Sequence, residues 1–206
     1  MRITSFPLGP IETNSYILDN GRDALSIDVG GDPAPILAFL QREKLTLLAI
    51  LVTHRHFDHL YGIHALQEAL HVPAYVPTGD DCIAETESSR GGIWGMPLVP
   101  DFEATPLPGK NLIIGSFACR VLLTPGHTPG GVSYYFEKAK AVFTGDAPGK
   151  VRGNDRGRSP GVRGSGHDGD IREQGAGHFR YISGKSPMKG FSSRSSPMFV
   201  SGPWPG

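Results

Sequence analysis

Leucine is missing from the last 60 residues: 17 leucines lie in residues 1–146 and none in residues 147–206. Isoleucine, leucine and valine together number five in that segment, against 13 glycines. Such a composition excludes a packed core there, because too little apolar surface is available to offset the entropy of ordering the chain. Cysteine is scarce as well. Cys82 and Cys119 are the only two, which excludes a disulfide framework, and they are not spaced as a metal-binding pair. No run reaches the roughly 20 apolar residues of a membrane-spanning helix, and the amino terminus lacks the basic, then apolar, then small-residue order of a signal peptide. A cytoplasmic protein with no membrane partner is expected.

Net charge is also absent, but only in sum. Residues 1–146 carry 10 Lys and Arg against 16 Asp and Glu, and residues 147–206 carry 10 against 4, so the two parts stand at −6 and +6. The acidic part has the length and apolar content of one domain. The basic part reads as a Gly/Ser/Arg-rich tail, expected to be disordered. It has no interleaved aromatics and no RNA-binding motif, so no specific nucleic-acid partner is expected.

What is present is concentrated in Thr53-His54-Arg55-His56-Phe57-Asp58-His59. Three imidazoles and a carboxylate occupy six positions directly after Leu48-Ala49-Ile50-Leu51-Val52, an apolar run that reads as a buried parallel strand. The cluster therefore falls at the carboxyl end of a strand, where α/β folds place their sites. His54 and His56 project to the same side of an extended segment, and Asp58 and His59 sit where the chain turns into a helix. Neutral imidazole and carboxylate suit zinc, with iron or manganese as alternatives, and an open coordination position makes bound water a nucleophile near neutral pH. His64 and His71 lie outside this cluster and are not read as ligands. Asp28 is read as structural, capping the helical region that starts near Asp32.

Further segments fit this pattern in chain order: Ile27-Asp28-Val29-Gly30-Gly31-Asp32, Thr124-Pro125-Gly126-His127-Thr128-Pro129-Gly130-Gly131 and Phe143-Thr144-Gly145-Asp146. Together with the histidine cluster they resemble the metallo-β-lactamase fold hydrolases. The opening Phe6-Pro7-Leu8-Gly9-Pro10 and Thr13-Asn14-Ser15-Tyr16 are most similar to the small glyoxalase II-like branch, the hydroxyacylglutathione hydrolases. The resemblance implies an α+β, four-layer αβ/βα sandwich. It implies that His54, His56 and His127 hold one metal ion, that Asp58, His59 and Asp146 face a second, and that Asp146 bridges the two. The implied chemistry is attack of metal-bound hydroxide on a small-molecule thioester or ester, with Asp58 as the catalytic residue that orients or deprotonates the water. Two alternatives stay open: an iron-dependent persulfide dioxygenase-like enzyme, and a catalytically defective family member with a nonspecific basic tail.

The resemblance stops at Asp146, so residues 1–146 form an incomplete metal-binding domain. Proteins of this type continue with a strand, a helix and one more histidine in a Pro-Gly-His-Gly-Pro-like turn, and neither His167 nor His178 lies in such a context. Shifted by one base, Val200-Ser201-Gly202-Pro203-Trp204-Pro205 can be read with permissible codons as Tyr-Pro-Gly-His-Gly-Pro. The carboxyl-terminal part is accordingly expected to be missing or out of frame, as an alternative to a disordered tail.

Apolar periodicity predicts strands over Arg2 to Phe6, Ser15 to Leu18, Ala24 to Asp28, Leu47 to Val52 and Ala74 to Val76. A second set follows at Leu112 to Ile114, Phe117 to Leu123, Val132 to Phe136 and Ala141 to Thr144. Helices are predicted over Pro35 to Arg42, Asp58 to Leu70 and Gly79 to Ser88, with residues 89–110 irregular.

Overall fold

Short apolar runs separated by turns over the first 27 residues produce a meander of β1 (Arg2–Leu8), β2 (Thr13–Asp19) and β3 (Asp23–Ile27), with β2 and β3 turning at Asn20-Gly21. The chain then crosses over through α1 (Ala34–Glu43) to β4 (Thr46–Leu51), which pairs parallel with β3. Helix α1 ends at Lys44, which adopts the left-handed conformation. A second crossover, through α2 (Ile63–Leu70), leads to β5 (Ala74–Val76) beside β4. The short α3 (Glu87–Arg90) and β6 (Ala104–Pro106) complete a six-stranded sheet in the order β1 to β6. The computed structural model describes residues 1–146 and 180–183.

The second sheet is built from β7 (Asn111–Ile114), β8 (Phe117–Leu123), β9 (Val132–Phe136) and β10 (Ala141–Phe143), consecutive and antiparallel. One of its edges is β11 (Arg180–Ile182), parallel to β10, and the other is β7.

Side chains alternate across a strand, so a sheet covered on both faces reads as a continuous apolar run. In β4, Ile50 packs among Ile17, Ile36, Ile63 and Leu66 beneath α1 and α2, while its neighbour Leu51 faces Phe117, Tyr134 and Phe143 of the second sheet. Helix, sheet and sheet are thus three layers of the expected sandwich. The outer helix layer of the expected fold falls outside the described residues.

Several local expectations change. The helix predicted from Asp58 begins only at Ile63. Phe57–His59 instead form a tight 3-10 turn, closed by bonds from His59 N to His56 O and from Leu60 N to Phe57 O. The Gly62 N–H bonds back to Val29 O, and the Gly62 Cα lies so close to the Gly31 carbonyl that any side chain would collide with it. That contact holds the chain against the β3 end before helix can start. The helix predicted over Gly79 to Ser88 is a 3-10 segment, Thr78–Ile83, followed by α3, and Thr86 bonds back to Ile83 O at the break. Part of the region read as irregular forms β6.

The boundary drawn at residue 146 leaves out β11, whose Ile182 packs against the second core and whose following Ser183 carbonyl accepts the Tyr16 hydroxyl. The other readings of residues 147–206, namely disorder, a shifted frame and the exclusion of His167 and His178, lie outside the described residues. No helix among the described residues is long and apolar enough to cross a membrane.

Candidate metal centre

The parallel pair β3 and β4 ends at one edge, and both strands deliver polar residues there. Asp28 follows β3 with φ of 54°, the left-handed region that aspartate tolerates better than most residues. Its buried carboxylate accepts the Thr53 amide N–H at 2.8 Å on one oxygen, and the Thr53 hydroxyl and His59 Nδ1 at 2.8 Å each on the other. The capping role expected for Asp28 is therefore corrected: it orients the metal-site loop.

These bonds also set tautomers. Because the Thr53 hydroxyl donates to Asp28, it accepts from the His54 Nδ1–H, 3.0 Å away, which leaves the lone pair of His54 on Nε2. His59 gives its Nδ1–H to Asp28 in the same way and turns Nε2 into the site. Gly145 fills the remaining approach to Thr53. It has φ of 53°, and a side chain there would collide with the Thr53 hydroxyl.

The turn containing His127 folds over this edge from the β8–β9 connection. The first donor group is then His54, His56 and His127, with ring centroids 4.5–4.8 Å apart and His56 Nδ1 2.9 Å from His127 Nε2. Burial and the neighbouring His127 push the His56 pKa down, so the neutral, lone-pair-bearing ring is favoured.

The second group is Asp58, His59 and Asp146, whose side chains are 14%, 0% and 6% exposed. His59 Nε2 stands 3.5 Å from Asp58 and 3.7 Å from Asp146 Oδ1, too far for hydrogen bonds, and it has no bonding partner among the described residues. Burial opposes charge on His59, but Asp28, Asp58 and Asp146 prevail and raise its pKa to about 9. The other oxygen of Asp146 lies 3.8 Å from His127 Nε2, so this one carboxylate faces both groups. In each group the donor atoms lie within 4.8 Å of one another.

All six residues singled out in the sequence are brought together. A buried imidazole nitrogen aimed between two carboxylates, and three imidazoles converging on one point, fit divalent first-row cations that accept nitrogen and oxygen donors. Sequence reasoning missed Thr13, whose hydroxyl donates to Asp58 Oδ2 at 2.9 Å, and the role of Thr53. The only available signal for Thr53 was its place between the strand and the first histidine.

Comparison with known proteins agrees with this geometry. Residues 8–181 match the model of the metallo-beta-lactamase superfamily. A probable metallo-hydrolase of Bacillus subtilis, YqgX, is 34% identical over 154 residues, 71% of each chain. Hydroxyacylglutathione hydrolases of Bdellovibrio bacteriovorus and Brucella anthropi are 31% and 36% identical over 68% and 63% of this chain. The matched part spans only 51% and 45% of their own lengths. Among solved structures, BLEG-1 B3 metallo-beta-lactamase aligns at a TM-score of 0.65 with 36% identity, covering 75% of this chain and 79% of that one. TTHA1623 in a di-iron-bound form aligns at 0.62 with 34% identity, covering 77% and 79%.

Proposed function

Since the chain belongs to the metallo-β-lactamase superfamily, we propose that it is a metal-dependent hydrolase, as its relative from Bacillus subtilis is named, and that it cleaves thioesters of the hydroxyacylglutathione type. His54, His56 and His127 would hold one divalent cation, zinc in the first instance, and Asp58 and His59 a second, with Asp146 shared. The observation that carries this reading is the division of Asp146 between the two groups, 3.7 Å from His59 on one oxygen and 3.8 Å from His127 on the other. The relatives named hydroxyacylglutathione hydrolases support the choice of substrate.

When bound, a divalent cation lowers the pKa of a ligated water towards neutrality and polarises a carbonyl oxygen. The residues of the chain do the rest. Asp28 and Thr53 fix the tautomers that present Nε2 of His54 and His59. Thr13 holds the Asp58 carboxylate in one orientation, from which Asp58 can orient the attacking water and take its proton.

The test is the loss of thioester absorbance from a hydroxyacylglutathione substrate, followed with zinc-loaded and chelator-treated protein. Turnover by the loaded protein alone is expected. Zinc bound at full stoichiometry with no thioester cleavage would sink the substrate assignment. A second reading is an iron-dependent oxidation of persulfides at the same donors; the di-iron-bound form of a structure 34% identical supports its metal. Oxygen uptake by iron-loaded protein, without thioester loss, would install it in place of the first.

A further inference from the structure

Asp80 takes no part in either donor group, yet it is fully buried beside both histidine-bearing loops. It follows β5, in the 3-10 segment Thr78–Ile83. One carboxylate oxygen accepts the Arg55 amide N–H at 3.0 Å and the Thr128 hydroxyl at 2.9 Å, and the other accepts the Gly130 amide N–H at 2.6 Å. Arg55 lies between His54 and His56, while Thr128 and Gly130 lie just after His127. One side chain thus ties together the two loops that carry the first donor group, one from each sheet of the sandwich.

The chemistry at this position calls for a carboxylate. All three partners are donors, and an ionised carboxylate is acceptor-only, whereas an amide would turn two N–H bonds toward a backbone N–H and a hydroxyl. The Arg55 guanidinium is directed elsewhere, to Asp81 at 2.9 Å, so the three partners of Asp80 are neutral. The backbone supports the tie. Gly79 and Gly130 pack Cα against backbone so closely that a side chain on either would collide with the other. A direct bond from Val132 N to Thr53 O, 2.9 Å, joins the same two loops.

We propose that Asp80 is a positioning residue of the metal centre, which sets the separation of His56 and His127 by holding the backbone on either side of the gap between their loops. The inference rests on the reading of His54, His56 and His127 as metal donors and adds a residue to it. Partners one step removed from the metal typically change affinity by about 10- to 100-fold when replaced. A tie acting on backbone belongs at the lower end of that range.

The experiment is titration of the metal-free full chain with cobalt(II), read by bound stoichiometry and by the visible absorption of the bound ion. Asp80→Asn is expected to melt cooperatively, to bind cobalt about 10-fold more weakly at the first position and to alter the absorption bands. Glu68→Gln removes a like charge from an exposed position on α2, and Leu40→Ala destabilises a distant core. Both should keep the wild-type bands, which separates positioning from charge and from general stability. Thr128→Val should reproduce part of the effect, and Thr128→Ser should restore it. Wild-type affinity and bands in Asp80→Asn would overturn the proposal. If that variant does not fold, equal affinities for Thr128→Val, Thr128→Ser and wild type would overturn it instead. A wild-type chain that binds no cobalt would overturn the metal reading itself, and the positioning role with it.

Discussion

His54, His56 and His127 meet as three imidazoles, open to solvent at the exposed His127 and bordered by a carboxylate only where Asp146 lies 3.8 Å from that ring, whereas Asp58, His59 and Asp146 place one buried imidazole between two carboxylates. The first group is assembled by ring contacts and the 2.9 Å approach of His56 Nδ1 to His127 Nε2, with no opposite charges within it. Burial and His127 hold His56 neutral, and backbone ties set the spacing. The second group is held by its own charges: His59 is drawn between Asp28, Asp58 and Asp146, which keep a proton on it up to about pH 9. Folding therefore prepares the two halves differently. The first is ready to accept a cation, while in the second a cation must displace a proton that already stabilises the fold.

The largest expected effects would break this contrast if they failed. Asp58→Asn should lower turnover by about 10²- to 10⁴-fold, the range for loss of a positioned general base, while cobalt remains at the first position. Equal activity would remove Asp58 from the mechanism. His59→Ala leaves the buried Asp28 carboxylate without its imidazole partner and should destabilise the metal-free fold by about 3–5 kcal/mol in denaturant titration. His127→Ala, at an exposed position, should change that stability by no more than about 0.5 kcal/mol. It should nevertheless remove metal from the first position. Similar stability losses in the two variants would erase the distinction between a charge-assembled group and an open one.

A smaller effect concerns pH. The pKa of His59 is raised in the folded chain, to about 9 from an ordinary 6.5. Its stabilisation is fully present below pH 6.5 and is lost as pH rises through 9, an amount on the order of 3 kcal/mol. His56 is shifted the other way. Its folded form resists protonation, so its contribution falls as pH drops below 6.5. Melting temperatures of metal-free protein should therefore be highest near pH 6.5 and decline on both sides. His59→Ala should flatten the alkaline decline. An unchanged alkaline limb would mean that the proton does not reside on His59.

Much of this centre was legible because it depends on short-range rules. The continuous apolar run from Leu48 to Val52 placed the strand, and a ligand-rich run after a buried strand marked the site. The core followed similarly, since Ile50 and Leu51 face opposite layers as a two-residue period requires. What escaped depends on contacts distant in sequence. Asp28 reaches Thr53 and His59, and Thr13 reaches Asp58, only once β2, β3 and β4 are in register, and no local pattern encodes that approach. The tight turn at Phe57–His59 was hidden for the same reason, because its helical periodicity is overridden by the packing of Gly62 on Gly31. Strand β11 escaped because its surroundings in sequence carry almost no apolar signal.

Thr13→Val gives the smallest and sharpest test. It removes the single hydroxyl that donates to Asp58 at 2.9 Å and nearly preserves volume, so the core around β2 should remain intact. A hydrogen bond to a charged group contributes about 1.5–3 kcal/mol at most, and part of that returns when water takes the hydroxyl's place. A loss of about 1 kcal/mol, or roughly 5-fold in turnover, is expected, with the metal count unchanged and with Thr13→Ser restoring the activity. Because Thr13 touches only the second group, the cobalt bands of the first position should not move. If they do, the two groups are not independently built, and Asp146, the carboxylate that faces both, is the element through which the change must pass.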